Sequence, residues 1–277
     1  MTVGPGEPDG AASSAAPGVT PGEPLSGVPN GELELVGRIT TASNATFLGR
    51  IDGTEVVYKP VRGESPLWDF PDGTLAGREV AAFLVSEALG WNVVPPTLLR
   101  DGPLGPGMVQ LWQNADPEQH PVDLVDADDV PETGWRPVFE GRDEEGRAVV
   151  LLHEDSAALR RMAVFDVVVN NADRKGGHVL AMPDGHRHGV DHGLAFHEEH
   201  KLRTVLWGWL DEPLDPDELE GLARLRLALA GDLGEALAAH ILPTEIEALE
   251  RRCDRLEREA RFPGPEGDMP AVPWPLF

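Results

Sequence analysis

The sequence predicts an α+β protein of two lobes, a small β-rich lobe over residues 31–113 and a larger, mainly helical lobe over residues 114–277. Three observations predict it. From Glu32 to Pro60 apolar and polar side chains alternate at strand period, and Asp52-Gly53 between two such runs is a hairpin signal. A helical pattern and two further strand-like runs then complete a small lobe. Asp155–Val169 has a helical pattern and beyond Asp215 the chain becomes helical, and 277 residues suffice for one large domain or two lobes.

Residues 1–30 are mostly Gly, Pro, Ala and Ser with almost no large apolar side chain. They cannot bury enough surface to offset chain entropy, so a disordered arm is expected. Order should begin at Glu32–Ile39, turn through Thr40–Thr46, and continue in strands to Ile51 and over Thr54–Pro60. Gly77–Leu89 reads as a helix with Val80, Phe83, Leu84 and Ala88 on one face. Strand-like segments follow at Pro96–Leu99 and Met108–Trp112. Residues 114–147 are acidic and rich in turn formers, and read as a surface insertion or irregular structure. Asp155–Val169 is a helix that Asp155 or Ser156 can cap. Two short strands should flank Pro183-Asp184-Gly185. Helices follow from Asp215, marked by Leu219, Leu222, Leu225 and Leu227, and again over Ile246–Leu256. The tail Phe262–Phe277, with five prolines and Trp274, reads as an extended packed strap.

Composition narrows the functional classes. Lys and Arg number 23 against 48 Asp and Glu, a net charge of −25. Such a surface repels phosphate backbones and anionic lipid, which argues against nucleic acid and stable membrane association. No run approaches the roughly 20 apolar residues of a membrane span, and no signal peptide is recognisable. A single cysteine, Cys253, excludes an intrachain disulfide and a cysteine zinc site. A soluble cytoplasmic protein is expected.

Two segments concentrate the chemistry: Val167-Val-Val-Asn-Asn-Ala-Asp-Arg-Lys-Gly-Gly-His-Val-Leu180 and Gly189-Val-Asp-His-Gly-Leu-Ala-Phe196. Each sets an Asp in a polar or Gly-bearing turn after an apolar run. Phosphoryl transfer needs such a pair: one carboxylate orients the attacking group, the other holds a metal on the phosphates. Taken singly, Asp173 and Asp191 are ordinary turn formers. Lys59 closes a Val-Val-Tyr run, where a lysine can reach phosphates as a point charge. A lone strand-end lysine is usually just surface, but Lys59, Lys175 and Lys201 are the only three in the chain. Glu79 can pair with Lys59, although acidic residues also sit well in a first helical turn; Glu87, two turns on, is a weaker candidate. The turn at residues 42–46 can offer backbone N–H groups and the side chains of Ser43, Asn44 and Thr46 to phosphate, or be a plain hairpin turn. His178 can bind a divalent ion or a phosphate. The histidines between His178 and His200 invite a zinc reading, but none forms a helical His-x-x-x-His pair with an interposed general base (His188 and His192, four apart, flank a Gly-bearing turn), and solvated loop imidazoles are the simpler account.

Together these residues resemble the phosphatidylinositol 3-/4-kinase superfamily, in the small atypical branch with type II phosphatidylinositol 4-kinases and HipA-like protein kinases. Phe165–Arg174 resembles that branch's Asn-x-Asp-Arg loop, and Val190–Phe196 its Asp-Asn-Gly-Leu-Ala-Phe metal loop. Val57–Pro60 is similar to the nucleotide-lysine strand, and Val109–Trp112 to the hinge that meets adenine. The chain also resembles a group of actinobacterial proteins of unproven function. The resemblance covers roughly residues 33–210. It implies a two-lobed protein-kinase-like fold with ATP and Mg²⁺ in the cleft, Mn²⁺ being an alternative. It implies that Asp173 orients the acceptor hydroxyl and that Asp191 binds metal. Lys59 would hold the α/β-phosphates, Glu79 would hold Lys59, and Gln110, Leu111 and Trp112 would give backbone contacts to the base. Three departures stand out: His178 where the branch has a metal-binding Asn, a phosphate loop poor in glycine, and the acidic stretch around residues 123–145. Three functions stay open: an ATP-dependent phosphotransferase acting on a protein or small-molecule hydroxyl, a nucleotide-binding pseudokinase, and an adenylyl transferase on the same fold.

Overall fold

The computed structural model describes residues 27–39, 44–65, 67–70, 74–267 and 270–277. Most of the expected arm, residues 1–26, and Ser43 lie outside the described residues. The arm does not extend to residue 30. Val28 is 3% exposed and packs with Leu33, Ile51, Val56, Tyr58 and Val109, because its isopropyl group fits the small apolar cluster under the first sheet.

That sheet has five antiparallel strands: β1 (Leu33–Ile39), β2 (Thr46–Ile51), β3 (Thr54–Pro60), β4 (Thr97–Gly102) and β5 (Gly105–Leu111), in the order β1-β2-β3-β5-β4. Asp52 (φ 48°) and Gly53 (φ 84°) turn β2 into β3, both left-handed as a tight hairpin requires. Alternation sends Val56 and Tyr58 into the small cluster, so Val57 and Lys59 take the opposite face. By register Leu48, Met108 and Gln110 share that face.

Helix α1 (Leu75–Leu89) starts two residues before the expected Gly77. Thr74 caps it, its hydroxyl accepting from Gly77 N at 2.9 Å, and left-handed Gly90 ends it. The helix is buried nearly all round because it packs between β4 and β5 on one side and later helices on the other.

The acidic stretch is not irregular. It forms β6 (Val122–Asp126) and β7 (Trp135–Arg142), which flank β8 (Ala148–Glu154) in a three-stranded antiparallel sheet. The apolar run Val149–Leu152 makes β8 the buried centre. The edge strands interleave Asp123, Asp126, Glu140 and Arg142 with Val122, Val125, Val138 and Phe139, which dilutes their strand signal.

Helix α2 (Ala157–Val169) follows, with Ser156 Oγ accepting from Leu159 N at 3.2 Å and Asn170 closing it at φ 55°. Hairpin β9 (Val179–Ala181) and β10 (Arg187–Gly189) flanks the Pro183–Gly185 turn. Helices α3 (Pro216–Leu229), α4 (Asp232–Ala238) and α5 (Pro243–Glu259) complete the helical part. Phe83, Leu159, Phe165, Trp209, Leu222 and Leu249 meet in the large core. The tail is an extended strap with Phe262 and Leu276 buried, while Trp274 is 84% exposed. Among the described residues no helix is long and apolar enough to cross a membrane.

Candidate active site

Lys59 leaves β3 on the face turned toward α1 and the β9–β10 hairpin. Its Nζ lies 2.6 Å from Glu79 Oε1 and 2.9 Å from Asp191 Oδ1. Burial alone would lower the Lys59 pKa, but the two carboxylates outweigh it and hold the ammonium above its ordinary value. Glu79 is buried on α1, and burial pushes its carboxyl up against the pull of Lys59. Its other oxygen, Oε2, accepts from His192 N at 2.9 Å. Glu79 therefore ties the lysine strand to the loop carrying Asp191.

Asp191 follows β10 with φ 62°, a left-handed conformation that costs a non-glycine residue energy and is typical of functional loops. The neighbouring Lys59 ammonium holds its carboxyl well below the usual carboxylate range. The side chain is still 51% exposed, so Asp191 is ionised and accessible. Asp173 sits just past α2, where its N–H donates to Asn171 Oδ1 at 3.0 Å. Its carboxylate lies 3.3 Å from Lys175 Nζ, and burial raises its pKa despite that cation. His178 ends a short 3-10 turn, its Nδ1 2.9 Å from Asp173 O and its Nε2 3.6 Å from Asp191 Oδ2. Burial lowers the imidazole pKa.

Arg174 holds the two loops together. It is fully buried, and its Nε and Nη2 grip Asp166 of α2 at 2.9–3.2 Å. Its Nη1 donates to His178 O and Val190 O, both at 3.2 Å, and Nη2 meets His192 Nε2 at 2.7 Å. Asn171 and Thr204 also donate to Asp166. The sequence reading assigned no role to Asp166, Asn171, Arg174, Lys175 or His192. The juxtaposed Asp166 and Arg174 were visible within the quoted loop, but their partners come from segments distant along the chain.

Lys59, Glu79, Asp173 and Asp191 line one cavity of about 190 Å³, with Asn44, Thr46, Glu64, Leu75 and Gly193 among its other walls. Asn44 and Thr46 thus reach the site, though both are engaged locally. Asn44 Oδ1 accepts from Ser65 N at 3.0 Å, and the Thr46 hydroxyl donates to Asn44 O at 3.2 Å. Gln110, Leu111 and Trp112 do not line this cavity. Gln110 is buried and donates to Thr97 Oγ1, while Leu111 packs on the small cluster. Two N–H groups of this segment are engaged within the fold: Leu111 N donates to Pro96 O and Trp112 N to Glu55 O. β5 lies between β3 and β4, so its backbone pairs on both sides up to Gln110. Glu87 also lies off the cavity.

One carboxylate and one imidazole are the donors that could hold a divalent ion here. Asp191 and His178, with Oδ2 and Nε2 3.6 Å apart, are the residues that would hold such an ion. Among the described residues no group of three or more His, Cys, Asp or Glu is placed as a metal cage. Ions that keep water and substrate phosphate as ligands need only one or two protein donors.

Fold and site together define an α+β protein whose two halves meet at a lysine held between two carboxylates. The chain belongs to the family of Protein Rv2133c of Mycobacterium tuberculosis, to which it is 53% identical over 265 residues, spanning 90% of this chain and 93% of the relative. No family model matches the chain. Among solved structures, the Helicobacter pylori proinflammatory kinase CtkA aligns over 84% of this chain and 93% of its own, with 13% identity and a TM-score of 0.42.

Proposed function

We propose that this protein is an ATP- and divalent-metal-dependent phosphotransferase of the atypical, phosphatidylinositol 3-/4-kinase-like type, acting on a hydroxyl of a protein or small molecule. The observation that carries the reading is Lys59 bridging Glu79 and Asp191 in a cavity that Asp173 also lines. A lysine fixed by a buried helix carboxylate is oriented to receive phosphate oxygens. Asp191 is ionised and open to an ion, which would be Mg²⁺ or Mn²⁺ and would neutralise charge on the phosphates. Asp173, across the cavity, accepts a hydrogen bond from the acceptor hydroxyl and aligns its oxygen for attack on the γ-phosphorus, with ADP leaving. Lys175 places a cation beside that carboxylate, where the transferred group passes.

The cavity is smaller than the roughly 300–1,000 Å³ of typical ligand pockets, so it suits the phosphates rather than a whole nucleotide. The nucleoside would lie beyond it along Leu48 and Val57, on the same sheet face as Lys59. The net charge of −25 disfavours anionic membranes and nucleic acid as partners, and a cytoplasmic location fits a supply of ATP.

The test is transfer of label from ATP marked at the α- or the γ-phosphate, with Mg²⁺ or Mn²⁺. Transfer from γ is expected; transfer from α would make the protein an adenylyl transferase. ATP binding with neither transfer would leave a pseudokinase. Asp191→Ala should abolish metal-dependent nucleotide binding, whereas Asp173→Ala should abolish transfer and leave binding nearly intact, both read by calorimetry beside the transfer assay.

A further inference from the structure

The two oxygens of Asp191 face different partners. Oδ1 receives Lys59, while Oδ2 points to His178 Nε2 at 3.6 Å. The imidazole orientation is fixed from behind. His178 Nδ1 lies 2.9 Å from Asp173 O, which can only accept, so Nδ1 carries a hydrogen, and in the neutral ring Nε2 is the nitrogen left with a lone pair. The backbone is fixed as well, because His178 O accepts from both Arg174 Nη1 (3.2 Å) and Val190 N (3.0 Å). At 3.6 Å Nε2 and Asp191 Oδ2 are too far apart for a hydrogen bond yet point at each other, and a neutral imidazole and a carboxylate so placed could both donate to one shared cation. An N–H to backbone carbonyl bond behind the free nitrogen is also how metal-ligating histidines are generally oriented.

Resting on the metal-binding reading of Asp191 above, we propose that His178 is the specificity-determining residue of that site and makes it select Mn²⁺ over Mg²⁺. One nitrogen and one carboxylate oxygen form a mixed donor pair. Mg²⁺ prefers oxygen ligands and gives up water reluctantly, whereas Mn²⁺ accepts an imidazole more readily.

The test uses the full chain with Mn²⁺ or Mg²⁺ and a non-hydrolysable ATP analogue. Electron spin-echo spectroscopy of bound Mn²⁺ should show hyperfine coupling to one directly bound nitrogen, and Mg²⁺ should displace Mn²⁺ poorly. His178→Asn should lose the coupling and shift the Mn²⁺/Mg²⁺ preference toward Mg²⁺ by about tenfold or more. Asp191→Asn should lose both ions. If His178→Asn fails to fold, heavy-nitrogen histidine in the unaltered chain should change the coupling pattern. Mn²⁺ that depends on Asp191 but shows no histidine coupling would overturn the inference and leave the metal reading standing. An unchanged ion preference in folded His178→Asn would overturn it too. If neither ion binds in an Asp191-dependent way, the metal reading falls and the inference with it.

Discussion

Arg174 is the side chain on which both loops depend. Its guanidinium is fully buried, and its fork matches Asp166 on one side and two loop carbonyls on the other. Arg174→Ala should cost about 3–5 kcal/mol in urea denaturation, because it strands the buried Asp166 charge. Arg174→Lys keeps the charge but loses the fork, and should recover only part of that. A variant as stable as the unaltered chain would show that the ion pair holds nothing. Lys59, Glu79, Asp173 and Asp191 were legible in the sequence because each is the residue type that phosphate chemistry requires. Arg174 was not, since besides Asp166 its partners are the backbone carbonyls of His178 and Val190, which any residue could supply. At Gln110–Trp112 the strand-like character was readable, but which neighbours engage the backbone groups was not.

Among the elements, those with a clean period and a cap were read closely. Helix α2 was expected to begin after Asp155 or Ser156, and Ser156 is the cap. Ser156→Ala should cost about 1 kcal/mol by chemical denaturation, since it removes the acceptor for Leu159 N. No loss would mean that water satisfies the helix end equally well. The β6–β8–β7 sheet was missed because charged residues interrupt its edge strands, and pairing with the apolar β8 outweighs their local character. The strap was anticipated as packed chain, but its target was not. It lies against the turn between Asp173 and His178: Gly176 N donates to Leu276 O at 2.8 Å, and a Cβ on Gly176 would sit 2.3 Å from the Phe277 ring. Gly176→Ala should therefore push the ring aside and loosen the turn. Adding Phe277→Ala should relieve it, with a coupling of roughly 0.5–3 kcal/mol in a double-mutant cycle. Strict additivity would separate the strap from the turn.

For the whole molecule, acid stability follows from buried histidines as well as from the large negative charge. His153 on β8 is fully buried between Gly208 N at 3.0 Å and Glu154 O at 2.9 Å, and burial lowers its pKa to about 4. The folded chain holds this proton less tightly than the unfolded chain, whose histidine titrates near 6.5. Stability from His153 is thus complete above about pH 6.5 and declines as the pH falls toward 4, by on the order of 3 kcal/mol. Relief of carboxylate repulsion acts the other way, but ordinary carboxyls protonate near 4, so the histidine should dominate the upper part of the window. Melting temperatures from pH 7 to 4 should fall, and His153→Gln should flatten the curve; parallel curves would place the acid sensitivity elsewhere. The strap has a practical consequence at this scale as well. Leu276 and Phe277 lie against the turn that carries Lys175 and His178, so whatever displaces the strap reaches that turn without entering the cavity. If the proposed function holds, Phe277→Ala should change metal and nucleotide affinity although the ring would touch neither ligand; unchanged affinities would separate the strap from the site.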